Sequence, residues 1–146
     1  METVLNQTAP VIAISSAGIF FLIGLLTGAW KYQCMAQNAE FKAPYYVDIS
    51  HRASLIYAFA AMLIAVFAAL SAFPAWLNIL ATIAPLLFFA IAILNYIKLG
   101  LKNNTNNQLR DSENPAADKI LLKTLMIAEI GGFLLLLIGF FVRVLG

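Results

Sequence analysis

Four long apolar segments constrain this chain more than any other feature of its sequence. A helix needs about 20 apolar residues to cross the hydrocarbon core of a bilayer, and each segment reaches that length. Charged residues make up only 11% of the chain and the mean hydropathy is +0.88, whereas soluble domains carry about 25% charged residues. We therefore predict an all-α integral membrane protein, a four-helix antiparallel bundle in a single transmembrane domain, 1–146. The predicted helices cover 10–31, 50–72, 75–99 and 120–143, and the predicted polar loops cover 32–49 and 100–118.

Two local features support this plan. The connection Ser71-Ala72-Phe73-Pro74-Ala75-Trp76 is short and uncharged, which predicts a hairpin of the second and third helices. The chain starts with Met1-Glu2-Thr3, which is acidic where a removable signal peptide is basic. We therefore expect the first apolar segment to be a retained helix.

The basic residues predict an orientation. Cytoplasmic ends of membrane helices carry an excess of Lys and Arg. Eight of the nine basic residues fall on the side of the first and third loops, and only Arg143 falls on the other. This distribution predicts a protein of the bacterial inner (plasma) membrane, with both long loops cytoplasmic and both termini outside. The eight are Lys31, Lys42, Arg52, Lys98, Lys102, Arg110, Lys119 and Lys123.

The start of the second helix holds the most reactive cluster of side chains. His51 is the only histidine, and it shares one helical face with Asp48 and Arg52. A histidine beside a carboxylate can move protons near neutral pH, or it can simply anchor a helix at the headgroups. Asp48 is equally suited to cap the helix. Arg52 can bind an anionic or electron-rich group, and Tyr46 and Tyr57 can stack on an aromatic ligand.

Two further polar residues are predicted inside the helices. Asn95 near the end of the third helix should return to the same membrane side as His51, as a ligand or as a link between helices. Glu129 lies roughly 15 Å inside the fourth helix, for which Asp118 is a candidate cap. A carboxyl group at that depth should be neutral, paired or in a watery cavity.

Several classes of function lack their residues here. One histidine cannot supply bis-histidine haem ligation within one chain, and Cys34, the only cysteine, cannot form an internal disulfide. The chain has no zinc-ligand spacing and no Gly-rich phosphate loop, so we expect no metal and no cofactor. A net charge of +2 on scattered residues gives no reason to expect nucleic acid.

In layout the chain resembles the small integral-membrane hydroxylaminobenzene mutases. The likeness rests on Phe21-Leu22-Ile23-Gly24-Leu25-Leu26-Thr27-Gly28, the His51 segment and Leu94-Asn95-Tyr96, together with the length and the four-helix plan. In the family pattern an acid follows the histidine, whereas here Asp48 precedes it. The resemblance implies a cofactor-free rearrangement of an aryl hydroxylamine to an aminophenol. On this reading the proton donor is His51 or Glu129, in an aromatic-lined pocket. Together with the residue patterns above, this predicts His51, Glu129 and Asp48 as catalytic residues, with Arg52, Tyr57, Asn95 and Tyr46 around a hydrophobic aromatic ligand.

Two other classes stay open from the sequence. The chain is suited to be an accessory or homo-oligomeric subunit that binds membrane lipid, quinone or a larger partner. It is equally suited to be a channel or transporter protomer in which Glu129 lines a pore. The surroundings of Glu129 should separate these classes: an enclosed pocket favours a ligand, and an oligomer axis favours conduction.

Overall fold

The described residues form four long helices. A computed structural model describes residues 6–112 and 114–146, so Met1-Glu2-Thr3 lies outside the described residues. The helices are α1 (Thr8–Gln37), α2 (Tyr45–Leu70), α3 (Ala75–Lys102) and α4 (Pro115–Leu145). All four are long and apolar enough to cross a membrane, judged by length and composition. The predicted all-α class with four helices is therefore confirmed.

Each helix extends beyond its apolar segment at one end or both. The first and third connections are 38–44 and 103–114, so the edges of the predicted loops 32–49 and 100–118 are helical. The second connection is 71–74. The added turns contain Gln, Met, Ala and Lys, which are good helix formers although they are not all apolar. Hydropathy alone reports the part of a helix that suits lipid and misses turns that continue into water.

Both predicted helix caps are wrong. Pro44 occupies the N-cap position of α2, so Asp48 lies in the first turn and not at the cap. At α4 the cap is Asn114, whose side chain accepts a hydrogen bond of 3.1 Å from the backbone N–H of Ala117. Asp118 lies in the first turn of α4. At α4 Pro115 follows the cap, where its fixed φ suits the helix start, whereas at α2 the proline itself occupies the cap position.

Helices α2 and α3 are central, since each contacts the other three helices. The core between them is built mainly from alanine, with a few larger side chains such as Ile93 and Leu136. Small side chains let helix backbones approach closely, which is how helices associate where no hydrophobic force acts between them. The buried alanines are Ala9, Ala13, Ala17, Ala58, Ala61, Ala65, Ala68, Ala81 and Ala92.

Glycine allows α4 to approach α3 at one point. A β-carbon at Gly132 would lie 2.6 Å from the carbonyl oxygen of Ala81 and 2.8 Å from Cδ of Pro85. Pro85 has no N–H, so the carbonyl four residues before it, that of Ala81, lacks its usual helical donor. The Ala81 carbonyl, which lacks a helical donor because of Pro85, is therefore the one that faces the backbone of Gly132. A Cα–H group against such a carbonyl is a weak stabilising contact.

Candidate functional site

His51 is bound to α1. Its Nδ1 donates a hydrogen bond of 2.8 Å to the carbonyl oxygen of Gly24, which also accepts from Thr27 Oγ1 at 3.1 Å. A carbonyl oxygen only accepts, so the proton of this bond belongs to Nδ1. In the neutral ring Nε2 is then the free acceptor. The histidine is half-buried, with one nitrogen engaged in the contact between α1 and α2.

Gly24 and Gly28 of α1 form the surface on which α2 lies. A β-carbon at Gly28 would lie 2.8 Å from Cε1 of His51, and one at Gly24 would lie 2.6 Å from Cδ2 of Leu55. The imidazole ring therefore occupies the space left by a missing side chain. Gly28 thus contacts the only histidine of the chain.

An ion-pair cluster lies beside this contact. The carboxylate of Asp48 accepts from Lys31 Nζ at 2.5 Å and from Arg52 Nη2 at 3.0 Å. No described ion pair joins Asp48 to His51, so the predicted carboxylate–histidine pair is replaced by a carboxylate between two cations. The sequence analysis missed Lys31 as a site residue. Its position three residues after Gly28, on the face that contacts α2, was the available signal.

A second polar group joins α2, α3 and the connection 103–114. The hydroxyl of the buried Tyr46 accepts a hydrogen bond of 2.7 Å from the backbone N–H of Gln108. The side chain of Asn95 donates to Oε1 of the same glutamine at 2.7 Å. Two predicted ligand-binding residues are therefore brought together by Gln108, which the sequence analysis missed. Nothing in its local pattern indicates these contacts, because both partners are distant in sequence.

Aromatic rings continue from this group into the protein. Tyr46 and Tyr96 are stacked at a centroid distance of 6.1 Å, and Tyr57 and Phe89 are stacked at 4.3 Å. Tyr57 lies six residues beyond His51, which places the two side chains about 120° apart around α2. Tyr57 accordingly faces α3, whereas His51 faces α1.

Glu129 lies on α4, which contacts both α2 and α3. Its carboxyl group is half-buried. Atom Oε1 is fully buried and has no hydrogen-bond partner among the described residues. It lies on the same face of α4 as the buried residues Gly132 and Leu136, which explains its inward direction.

The predicted site residues thus form two groups. One holds Asp48, His51 and Arg52 against α1, and the other joins Tyr46 and Asn95 through Gln108. Tyr57, which stacks on Phe89, and Glu129, on the inward face of α4, have no described hydrogen bond to either group. No described hydrogen bond links His51 to Glu129. In the part of the chain that the structure describes, no three His, Cys, Asp or Glu residues are grouped as metal ligands would be.

Comparison with protein-family models, curated proteins and solved structures finds no match for this chain. The resemblance to hydroxylaminobenzene mutases therefore stays a prediction.

Proposed function

We propose that the chain is an integral membrane protein whose four helices alternate in direction. The contacts between α1 and α2 support this, because their partners run in opposite order: Gly24 with Leu55, Gly28 with His51, and Lys31 with Asp48. The starts of α1 and α3 and the ends of α2 and α4 also line one common groove. Outward-facing side chains such as Phe59 and Ile127 are large and apolar, as lipid contact requires.

The distribution of charge supports an orientation in this proposal. Most basic residues lie in or near the connections 38–44 and 103–114. In this proposal both connections are cytoplasmic and both termini are outside. The bacterial inner membrane is the proposed location.

We infer further that the protein binds a hydrophobic aromatic molecule that carries a hydrogen-bond donor. One observation carries this inference: Oε1 of Glu129 is buried and has no hydrogen-bond partner among the described residues. A buried carboxyl oxygen without a hydrogen bond costs about 1–3 kcal/mol or more, so it calls for a reason. A donor on a bound molecule would satisfy it, and the stacked rings offer flat apolar surfaces to an aromatic body.

A groove of about 380 Å³ offers a route toward this carboxyl group. Asn95 and Leu122 are among its lining residues, and Lys98 and Lys102 lie at its rim. Glu129 is seven residues after Leu122, on nearly the same face of α4 and about 10 Å deeper. A molecule that enters between α3 and α4 at the groove would therefore approach Glu129.

The first chemistry to test is the rearrangement of an aryl hydroxylamine. A neutral Glu129 would donate a proton to the N-bound hydroxyl, which leaves as water while the ring becomes electrophilic. Water then adds to a ring carbon, the ring proton is lost, and the carboxyl proton is restored. No electrons are gained or lost overall, so no redox cofactor is needed. The catalytic roles predicted for His51 and Asp48 stay predictions, since both side chains are engaged in the contact with α1.

Purified protein in mild detergent would be tested with phenylhydroxylamine and with aminophenol. We expect binding of both and conversion of the first. Glu129→Leu should abolish binding, whereas Glu129→Gln should retain binding but lose turnover, because an amide cannot exchange the proton. Glu40→Gln, in the exposed connection 38–44, is the matched control. Equal binding by wild type and Glu129→Leu would refute the site.

Proton or ion flux in liposomes without ligand binding would instead support the channel alternative.

A further inference from the structure

A second polar groove lies at the opposite end of the helices. It has a volume of about 250 Å³ and is bounded by the start of α1, the connection 71–74, the start of α3 and the end of α4. No Asp or Glu is among its described lining residues, and its one charged side chain is Arg143. Its lining residues include Thr8, Ala9, Ser71, Asn78 and Arg143.

Asn78, one of the residues that line this groove, has an unused acceptor. The residue is 8% exposed, and its Nδ2 donates a hydrogen bond of 3.0 Å to the carbonyl oxygen of Phe73. Because that carbonyl can only accept, the amide orientation is determined and the second atom must be Oδ1. Oδ1 is buried and has no partner among the described residues. Ser71, also among the lining residues, accepts a hydrogen bond of 3.2 Å at Oγ from the N–H of Phe73.

The groove also offers donors to an anion. Helix α1 begins there without a side-chain cap, so the N–H groups of Thr8 and Ala9 have no helical partner. Aligned N–H groups at a helix start attract negative charge. Arg143 has no described ion pair, and its guanidinium group adds a full positive charge.

The end of α4 is held firmly against the groove. The carbonyl oxygen of Gly139 accepts a hydrogen bond of 2.9 Å from the N–H of Ala72. A β-carbon at Gly139 would overlap Ser71 Oγ, so only glycine permits this approach. Arg143 follows Gly139 by four residues and lies on the same face of α4. Its position in the same groove as Asn78 therefore follows from the packing of α4.

We propose that this groove binds a phosphate ester that carries a hydrogen-bond donor, and that its source is a phospholipid headgroup. Arg143 and the start of α1 hold the phosphate, while Asn78 Oδ1 accepts from the ammonium of ethanolamine or a hydroxyl of glycerol. The lipid source follows from the position of the groove at the helix ends, beside the exposed Trp76, which suits the membrane interface. This inference rests on the membrane insertion proposed above but not on the Glu129 site.

The test uses native mass spectrometry of the full chain in mild detergent with defined added lipids. Phosphatidylglycerol and phosphatidylethanolamine carry a donor on the headgroup, whereas phosphatidylcholine does not. We expect wild type to bind the first two about tenfold more tightly than the third, as one charge-assisted or buried hydrogen bond allows. Equal binding of all three lipids would overturn the proposal without any variant.

Two variants separate the two halves of the site. Arg143→Gln, at an exposed position, should weaken binding of all three lipids about tenfold, and Arg110→Gln at the other end is the matched control. Asn78→Ala should remove the preference over phosphatidylcholine while phosphate binding persists. Unchanged binding by Arg143→Gln would refute the phosphate contact.

Two further measurements distinguish a lipid ligand from a soluble phosphate ester, and this groove from the Glu129 site. If soluble glycerol 3-phosphate binds as tightly as phosphatidylglycerol, the lipid source is wrong and a soluble phosphate ester is the ligand. Glu129→Gln should bind lipid like wild type, so a failed aromatic ligand site leaves this result intact. Loss of the headgroup preference in Glu129→Gln would contradict the proposal that the two sites are separate.

Discussion

The carbonyl oxygen of Ala81 lies directly against the backbone of Gly132. A β-carbon at this glycine would be 2.6 Å from that oxygen, a separation that real β-carbons do not adopt. The carbonyl lacks its usual helical donor because Pro85 has no N–H. The proline of α3 and the glycine of α4 therefore act together at one helix crossing.

We expect Gly132→Ala to force α3 and α4 apart and to lower the free energy of unfolding by about 1–3 kcal/mol, the usual cost of overpacking. Gly131→Ala is the matched control, since nothing lies within 4 Å of a β-carbon there. That control should be neutral or slightly stabilising, because alanine favours helix more than glycine does. Thermal unfolding in detergent measures both. Equal stability of the two variants would mean that the crossing tolerates a methyl group.

His51→Ala should lower stability by about 1–3 kcal/mol, since it leaves a gap against Gly28 and removes a donor from the Gly24 carbonyl. Gly28→Ala should also destabilise, because the added methyl group displaces the imidazole from its acceptor. Gly18→Ala has open space around its β-carbon and is the control on the same helix. If His51→Ala left the unfolding temperature unchanged and altered only ligand turnover, the histidine would be a functional and not a structural residue.

Tyr46→Phe should release the connection 103–114 from α2. The phenol oxygen is the described acceptor for the N–H of Gln108, and a lost hydrogen bond of this kind costs about 1 kcal/mol. Hydrogen exchange at the Gln108 amide should therefore speed up, by as much as about fivefold for that free energy. Tyr45→Phe is the control, since its side chain is exposed. Unchanged exchange in Tyr46→Phe would show that the connection is held by other contacts.

The carboxyl group of Asp111 should titrate below the ordinary range. Hydrogen bonds from Arg110 and, to a smaller extent, from Thr105 Oγ1 lower its pKa. A lowered folded-state pKa contributes stability that is present above the unfolded value of about 3.9 and is lost as the pH falls through the folded value. Carbon NMR of the carboxyl group measures it. Arg110→Gln should raise the pKa more than Thr105→Val does, and the reverse order would contradict the assigned cause.

Much of the fold could be predicted from local pattern. The four apolar segments predicted the helices, because burying backbone polar groups in lipid leaves few alternatives to a helix. Helix boundaries were less well predicted at positions such as Tyr45 and Pro115, where turns that continue into water carry no hydropathy signal. The two cap predictions failed because Pro44 and Asn114 occupy the cap positions, so both acidic residues lie in the first turn of their helices.

The sequence by itself determined which residues could form a site, and the tertiary structure decided which of them meet. Asp48, His51 and Arg52 are neighbours on one helical turn, so their proximity followed from spacing alone. The contact of His51 with Gly24, the bond of Gln108 to Tyr46 and the unpartnered oxygen of Glu129 depend on how separate helices pack. Such contacts join residues far apart in the chain, and local periodicity describes only the face a residue occupies. Which face meets which neighbour is set by the small residues at each helix crossing, and only the assembled fold reveals it.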